Sequence, residues 1–158
     1  MRFLWAHHYQ EEDWGFLLID AWNSFNEENR TAMLWAVWHE WTSGAQFNFN
    51  CYRHWATMVV RDMEGGSGHS LYSKEGVTQG YPLAMIAYGI GVLPLIRELR
   101  DAYTHVNQTW YADDAGAGGG FGHILEHFQD LQARGPQRGY FPERTKRILV
   151  IARGMWRG

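Results

Sequence analysis

Three carboxylates stand where an apolar chain has little reason to leave a charge. Asp20 closes the run Phe16-Leu17-Leu18-Ile19, and Asp113-Asp114 separates Trp110-Tyr111-Ala112 from Ala115-Gly116-Ala117. Carboxylates in such company carry a desolvation cost unless a cation or a hydrogen bond offsets it. Two acids delivered from different strand ends make a set of hard oxygen ligands suited to Mg²⁺, with waters and substrate phosphates completing the shell. Two such ions about 4 Å apart can activate an attacking oxygen and steady a leaving one. The same residues also suit a turn pair and a strand-end cap, and spacing alone does not choose. A second constellation, His123-Ile-Leu-Glu126-His127, spells the inverted zinc-protease signature and would put both imidazoles on one helix face. After His127 there is no further His or Cys, and Asp130 and Glu143 are the only acids, so the third ligand is missing.

Elements must bring the acids together. Phe16 to Ile19 reads as a short strand buried on both faces. From Asn26 the pattern turns helical: Asn26 can cap, Glu27 and Glu28 suit a first turn, Met33, Val37 and Trp41 share a face, and Gly44 can stop the helix. Gln46 to Arg53 alternates through Phe47, Phe49 and Cys51, and Trp55 to Arg61 is rich in β-formers. With a turn over Gly65-Gly66-Ser67-Gly68 and a strand from His69 to Ser73, this predicts a meander. After a loop from Glu75 to Tyr81, Pro82 opens a helix running towards Arg100, with Pro94 as a kink. Gln108 to Ala112 and Ala115 to Ala117 predict strands around Asp113-Asp114. Phe121 to Arg134 predicts an amphipathic helix closed by Gly135-Pro136, and Arg147 to Ala152 a last strand. The expected fold is α+β, an antiparallel sheet with helices on one face.

Composition sets the outer bounds. With 158 residues, 46% of them apolar, and nine Trp, the chain can bury a core and is not disordered. No repeat or linker divides it, so one domain over residues 1–158 is expected. The longest apolar run, Leu83 to Ile96, contains Pro94 and falls short of the ~20 residues of a membrane span. The start reaches His7, His8 and Glu11-Glu12-Asp13 too soon for a signal peptide. Cys51, the single cysteine, permits no internal disulfide and no cysteine-built zinc site. An intracellular setting, cytoplasm or nucleus, follows as the expectation. The net charge of -3 is uneven: residues 1–50 carry -5, residues 51–133 carry -4, and residues 134–158 carry +6. A basic end on an acidic body can meet phosphate, although a solvated tail would look the same. The Trp residues at 5, 14, 22, 35 and 38 read as core and packing residues, some forming an apolar patch.

The wording around the acids adds a resemblance. Ile19-Asp20-Ala21-Trp22-Asn23-Ser24-Phe25-Asn26, then Glu75-Gly76-Val77-Thr78-Gln79-Gly80-Tyr81-Pro82-Leu83, then Tyr111-Ala112-Asp113-Asp114 follow the order of the reverse-transcriptase palm. Gly139-Tyr140-Phe141-Pro142 with Lys146 resembles that family's fourth block. The resemblance covers about Leu17 to Val150 and leans towards retrotransposon-type rather than viral enzymes. It implies a polymerase-palm-like fold and RNA-directed DNA polymerase activity by two-metal nucleotidyl transfer from a dNTP to a primer 3′-hydroxyl. It implies Asp20 and Asp113 as ligands of two Mg²⁺ (Mn²⁺ as a substitute), with the Ala21 carbonyl touching the nucleotide-side ion and Asp114 as an accessory acid. Phe25 matches the ring that packs under the sugar and excludes a ribose 2′-hydroxyl. Gln79-Gly80 matches the loop beneath template base and nucleotide, and Lys146 a donor of a proton to pyrophosphate. An RNA template and a DNA primer are the implied partners. Tyr81 departs from the family's acid or small residue after Gln-Gly and would either crowd the nucleotide loop or stack on a base.

Only 19 residues precede Asp20 and 12 follow Lys146. A palm with fingers and thumb largely missing is therefore expected, completed by those segments or by self-association through the apolar patch. The alternative is a truncated, catalytically inactive fragment with at most weak nucleic-acid binding carried by the basic end.

Overall fold

In the computed structural model, which describes residues 6–8, 13–61, 68–78, 80–143 and 145–151, strands and helices alternate irregularly. The order is β1 (Trp14–Ile19), α1 (Ser24–Glu27), α2 (Arg30–Glu40), α3 (Thr42–Tyr52), β2 (Ala56–Val60), β3 (His69–Ser73), α4 (Ala84–Ala102), β4 (Asn107–Tyr111), β5 (Asp114–Gly120), α5 (Phe121–Arg134) and β6 (Ile148–Ile151). A four-stranded antiparallel sheet has the order β4-β5-β1-β6, and β2 and β3 form a separate hairpin. The fold is α+β, as the sequence predicts.

Side-chain size decides how the sheet is covered. Leu17, Ile19 and Ala115 point to one face, where they meet Leu95 and Leu99 of α4 and Phe128 and Leu131 of α5. The small residues of β5 let those helices come close, and Ala117 has no exposed surface. On the other face Phe16 lies over Gly116 and Gly118, where an added Cβ would strike its ring. Trp14 and Phe16 are buried on that face, as expected of a strand covered on both sides, and Leu18 is the exception at 39% exposure. A second core joins α2, α3 and α4 through Met33, Val37, Ala45, Tyr52, Ala87, Tyr88 and Val92.

Several predicted elements differ. Gln46 to Arg53 is helical, not extended. Its buried positions are Gly44, Ala45, Asn48 and Tyr52, a helical spacing, whereas the alternating Phe47 and Phe49 lie outside at 47% and 44% exposure. Gly44 is therefore inside a helix, packed so tightly on the Trp41 ring that a Cβ would collide with it. The cap of α2 is Asn29, whose Oδ1 accepts from the Ala32 amide at 2.9 Å. Asn26 instead donates to the Asn23 side chain. The meander is a two-stranded hairpin, and its Gly65-Gly66-Ser67 turn lies outside the described residues. Pro82 stands two residues ahead of α4, and Pro94 sits within that helix without ending it. Trp14 is buried, but Trp22, Trp35 and Trp38 are more than half exposed, and Trp5 lies outside the described residues. Among the described residues no helix is long and apolar enough to cross a membrane.

Candidate active site

The register of β1 against β5 fixes where the first acid meets the others. Ile19 lies opposite Ala115, so the next step outward sets Asp20 opposite Asp114. Asp113 occupies the two-residue turn between Tyr111 and Asp114, which pair across the hairpin. That turn is strained: Ala112 adopts φ 52°, a left-handed conformation that costs a residue with a Cβ roughly 1–2 kcal/mol. It is held from below by Tyr140, fully buried, whose hydroxyl donates to the Asp113 carbonyl at 3.0 Å.

The fourth block is laid against the first by backbone pairing. The Trp22 amide donates to the Phe141 carbonyl and the Glu143 amide to the Asp20 carbonyl, both at 2.8 Å, on either side of a bridge between Ala21 and Pro142. The ladder bonds flank Ala21, which leaves its own carbonyl outside that bridge. Three residues on from Glu143, Lys146 Nζ reaches Asp20 Oδ2 at 2.8 Å. Asp20, Asp113, Asp114 and Lys146 thus gather at one end of the sheet.

Their charges interact. Partial burial, and then the negative charges of Asp113 and Asp20, push the Asp114 carboxyl above the usual carboxylate range, while Lys146 opposes the rise. The hydrogen bond and charge of Asp20 hold the Lys146 ammonium above its ordinary value, with Glu143 and Asp113 adding to the effect. Such a lysine stays protonated near neutral pH and can give a proton to a strongly basic leaving oxygen. Among the described residues no three Asp, Glu, His or Cys side chains stand together closely enough to hold an ion by themselves. The oxygen donors that this end of the sheet offers are the carboxylates of Asp20, Asp113 and Asp114. An all-oxygen set this small fits Mg²⁺, which takes one or two carboxylates and leaves the remaining positions to water and phosphate.

The first and second blocks are tied together. The Val77 amide donates to the Phe25 carbonyl at 2.7 Å and the Gly76 amide to the Glu28 carbonyl at 2.9 Å. Gly76, at φ 74°, meets Phe25 and Asn26 so closely that only a glycine fits. The Phe25 ring is stacked on Tyr88, with centroids 4.6 Å apart. Gly80, at φ 83°, has open space where a Cβ would stand, and Gln79 lies outside the described residues. The Tyr81 ring turns to α3 and stacks on Phe47.

Arg30, which carries no role in the sequence reading, organises this junction. It is 6% exposed, and its guanidinium donates to the carbonyls of His54, Ser73, Glu75 and Gly76. Its backbone amide also donates to Glu75. A signal was there, since Arg30 falls on the helix face of Met33 and Val37, where a cation needs partners. Beside it Glu28 is 1% exposed, and burial raises its carboxyl well above the usual range against the pull of Arg30. Gly91 makes the space, because a Cβ there would strike Glu28.

The zinc signature, which already lacked a third ligand, gains no support, and the described part of the basic end can be placed. His127 is buried edge-on to Tyr103, whereas His123 is exposed beside His105, so the two imidazoles serve different neighbours. Among the described residues of the basic end, Arg134 pairs with Asp130 and Glu98, Arg138 pairs with Glu98, Lys146 pairs with Asp20, and Arg147 lies over the Phe128 ring. Arg144, Arg153 and Arg157 lie outside the described residues.

Against known proteins, no protein-family model matches the chain. No curated protein matches either. Solved structures do. Apo telomerase from Candida tropicalis superposes with a TM-score of 0.72 at 13% identity, over 96% of this chain and 31% of that one. The fold is reverse-transcriptase-like. The same telomerase with a TWJ fragment of telomeric RNA gives 0.69 at 15% identity, over 94% of this chain and 28% of that one. Telomerase from Candida albicans with the corresponding RNA fragment gives 0.67 at 12% identity, over 94% and 29%. The chain therefore spans about three tenths of the length of these proteins. At such identities the likeness concerns the fold, and it does not separate retrotransposon-type from other reverse transcriptases.

Proposed function

We propose that this chain is the palm of an RNA-directed DNA polymerase, transferring a nucleotidyl group from a dNTP to a primer 3′-hydroxyl. The observation that carries the reading is the register of β1 on β5, which seats Asp20 beside Asp114 and the Asp113 turn, with Lys146 on Asp20. Three acids and one lysine brought to one end of the sheet from three separate blocks support this reading over isolated turn caps, since the Asp114 carboxyl is raised by burial and by the charges of Asp113 and Asp20.

Asp20 and Asp113, with the Ala21 carbonyl, would hold two Mg²⁺ or Mn²⁺ ions, and Asp114 would assist. The ions, when bound, would neutralise phosphate charge and favour the ionised primer oxygen. The chain's own residues do the rest by positioning. Phe25, braced on Tyr88, presents a flat ring where a sugar would rest and leaves no room for a 2′-hydroxyl. Gly80 lets the backbone approach a nucleotide closely. As the primer oxygen bonds to the α-phosphorus and the bond to pyrophosphate breaks, the primer proton passes to solvent and Lys146 gives one to the pyrophosphate. RNA template, DNA primer and dNTP are the partners of this reading. The placement among retrotransposon-type enzymes rests on the wording of the blocks alone.

Completion by further polymerase segments, or by a second copy, is supported by apolar surface around α5 and β6. A cavity of about 580 Å³ is lined there by Leu17, Phe121, Ile124, Phe128 and Leu149, and the neighbouring Leu125 and Ile148 are more than half exposed. The second reading, an inactive fragment, is favoured by the pairing of Arg134 and Arg138 with acids, which leaves less cation for phosphate. Primer extension on an RNA template with Mg²⁺ or Mn²⁺ decides between them. Incorporation by the wild type, abolished in Asp113→Asn, supports the polymerase; no incorporation with either ion supports the inactive fragment.

A further inference from the structure

The β2–β3 hairpin takes no part in the site above, and its chemistry asks for a partner. Apart from each other, its strands have no extensive contact with another element. A lone two-stranded hairpin is marginally stable in water. This one is anchored at its base by Arg30, which donates to the His54 carbonyl at 3.3 Å and the Ser73 carbonyl at 3.1 Å. The same guanidinium holds the Gly76 carbonyl, so the hairpin keeps a fixed relation to the Glu75–Tyr81 loop.

Register separates its two faces. Thr57 pairs with Tyr72 and Val59 with Ser70, and alternation adds Trp55 and Lys74 at the base and Arg61 towards the tip. Among the described residues this face carries two aromatic rings, two cations and no carboxylate, on a chain whose net charge is -3. Trp55 is 59% exposed and Tyr72 58%, with ring centroids 6.3 Å apart. The Lys74 ammonium lies 4.4 Å from the Trp55 centroid. Among the described residues neither Lys74 nor Arg61 is paired with an acid. Rings open to solvent with cations beside them are what a sequence-tolerant single-strand site requires, since bases stack on the rings and phosphates meet the charges.

We propose that the Trp55–Tyr72–Lys74–Arg61 face of this hairpin binds single-stranded nucleic acid, as a site separate from the acidic cluster. The proposal goes beyond the polymerase reading and does not depend on it. A strand lying here would be held beside the second-block loop by backbone charge and stacking rather than by base-specific hydrogen bonds.

The test uses the full chain and two fluorescent 12-mers, oligo-U RNA and oligo-dT DNA, followed by anisotropy across a salt series. Trp55→Ala and Tyr72→Ala should each weaken binding by about 5- to 150-fold, the range of one lost base stack. Tyr72→Phe, which keeps the ring, should stay near wild type. Lys74→Gln should weaken binding and reduce the slope of log affinity on log salt by about 0.7, the share of one phosphate contact on a single strand. Asp113→Asn should retain oligonucleotide affinity whatever it does to extension, and this separates the proposal from the polymerase reading. Three results would overturn it: no binding of either oligonucleotide by the wild type, unchanged affinity in Trp55→Ala and Tyr72→Ala, or the loss of a dimer in those variants with oligonucleotide affinity intact. The last would assign the face to a second copy of the chain.

Discussion

Replacing Arg30 with Ala should unfold the junction between the first and second blocks before it changes anything else. The guanidinium makes hydrogen bonds of 2.9 and 3.1 Å to the Gly76 carbonyl, 3.0 Å to Glu75, 3.1 Å to Ser73 and 3.3 Å to His54, with another of 3.2 Å to the Ser73 hydroxyl. At about 1.5–3 kcal/mol for each bond to a charged group, the sum would rival the whole stability of an ordinary domain. That sum overcounts, because the carbonyls of His54, Ser73 and Glu75 are only partly buried and can turn to water. The Gly76 carbonyl is buried and loses both donors, and Glu28 loses the cation that opposes its protonation. Breaking one side of a buried charged network typically costs about 3–5 kcal/mol, and that is the loss expected for Arg30→Ala. Arg30→Lys keeps the charge without the fork and should recover less than half of it. Urea unfolding measures the loss, and amide exchange should show the Gly76 and Val77 amides opening first. A loss within the ~0.5 kcal/mol of an ordinary surface change, with those amides still protected, would refute the reasoning.

Other consequences follow from single residues. Ala112→Gly should stabilise the chain by about 0.5–1 kcal/mol, relief of the left-handed strain exceeding the added chain entropy; a lower melting temperature would contradict this. Glu28 has a folded-state pKa above its unfolded value, so its penalty is absent below about pH 4.5. As pH rises past that value the unfolded chain releases the proton and the folded one keeps it, so stability falls. Glu28→Gln should therefore melt higher than wild type at pH 8, with the gap shrinking towards pH 4; a constant gap would rule out the titration. Burial lowers the His127 pKa from 6.5, so below that pH the unfolded chain takes up a proton that the folded one refuses, and stability declines. His127→Leu should flatten that decline in thermal melts between pH 6.5 and 5, and superimposable acid limbs would exclude the role.

Much of this was legible where local pattern and tertiary burial agree. The β4–β5 hairpin follows from two short apolar segments flanking Asp113-Asp114, and the helix Phe121–Arg134 from a strong 3.6-residue period. Gln46 to Arg53 looks extended because Phe47, Phe49 and Cys51 alternate on the outside, while the packing face of its helix includes Gly44, Ala45 and Asn48, which carry almost no hydrophobic signal. Of the Trp residues, Trp14 went to the core and Trp22, Trp35 and Trp38 to apolar surface, a division that composition alone does not make. The site acids could be named from the blocks, but their meeting could not be derived from them. Asp20 faces Asp114 through a register across nearly a hundred residues of chain, and Lys146 reaches Asp20 through a backbone bridge at Ala21 and Pro142. The roles of Arg30 and Tyr140 were hidden for the same reason, because both act through carbonyls distant in sequence.

The shared ion site can be probed directly by titrating Mn²⁺ into the chain with a dNTP present and following bound metal by electron paramagnetic resonance. Binding in the wild type that is lost in both Asp20→Asn and Asp113→Asn, and kept in the control Asp101→Asn, is the predicted result. Equal Mn²⁺ binding by all four proteins, or none by the wild type, would mean that residues 20 and 113 do not clasp a common cation.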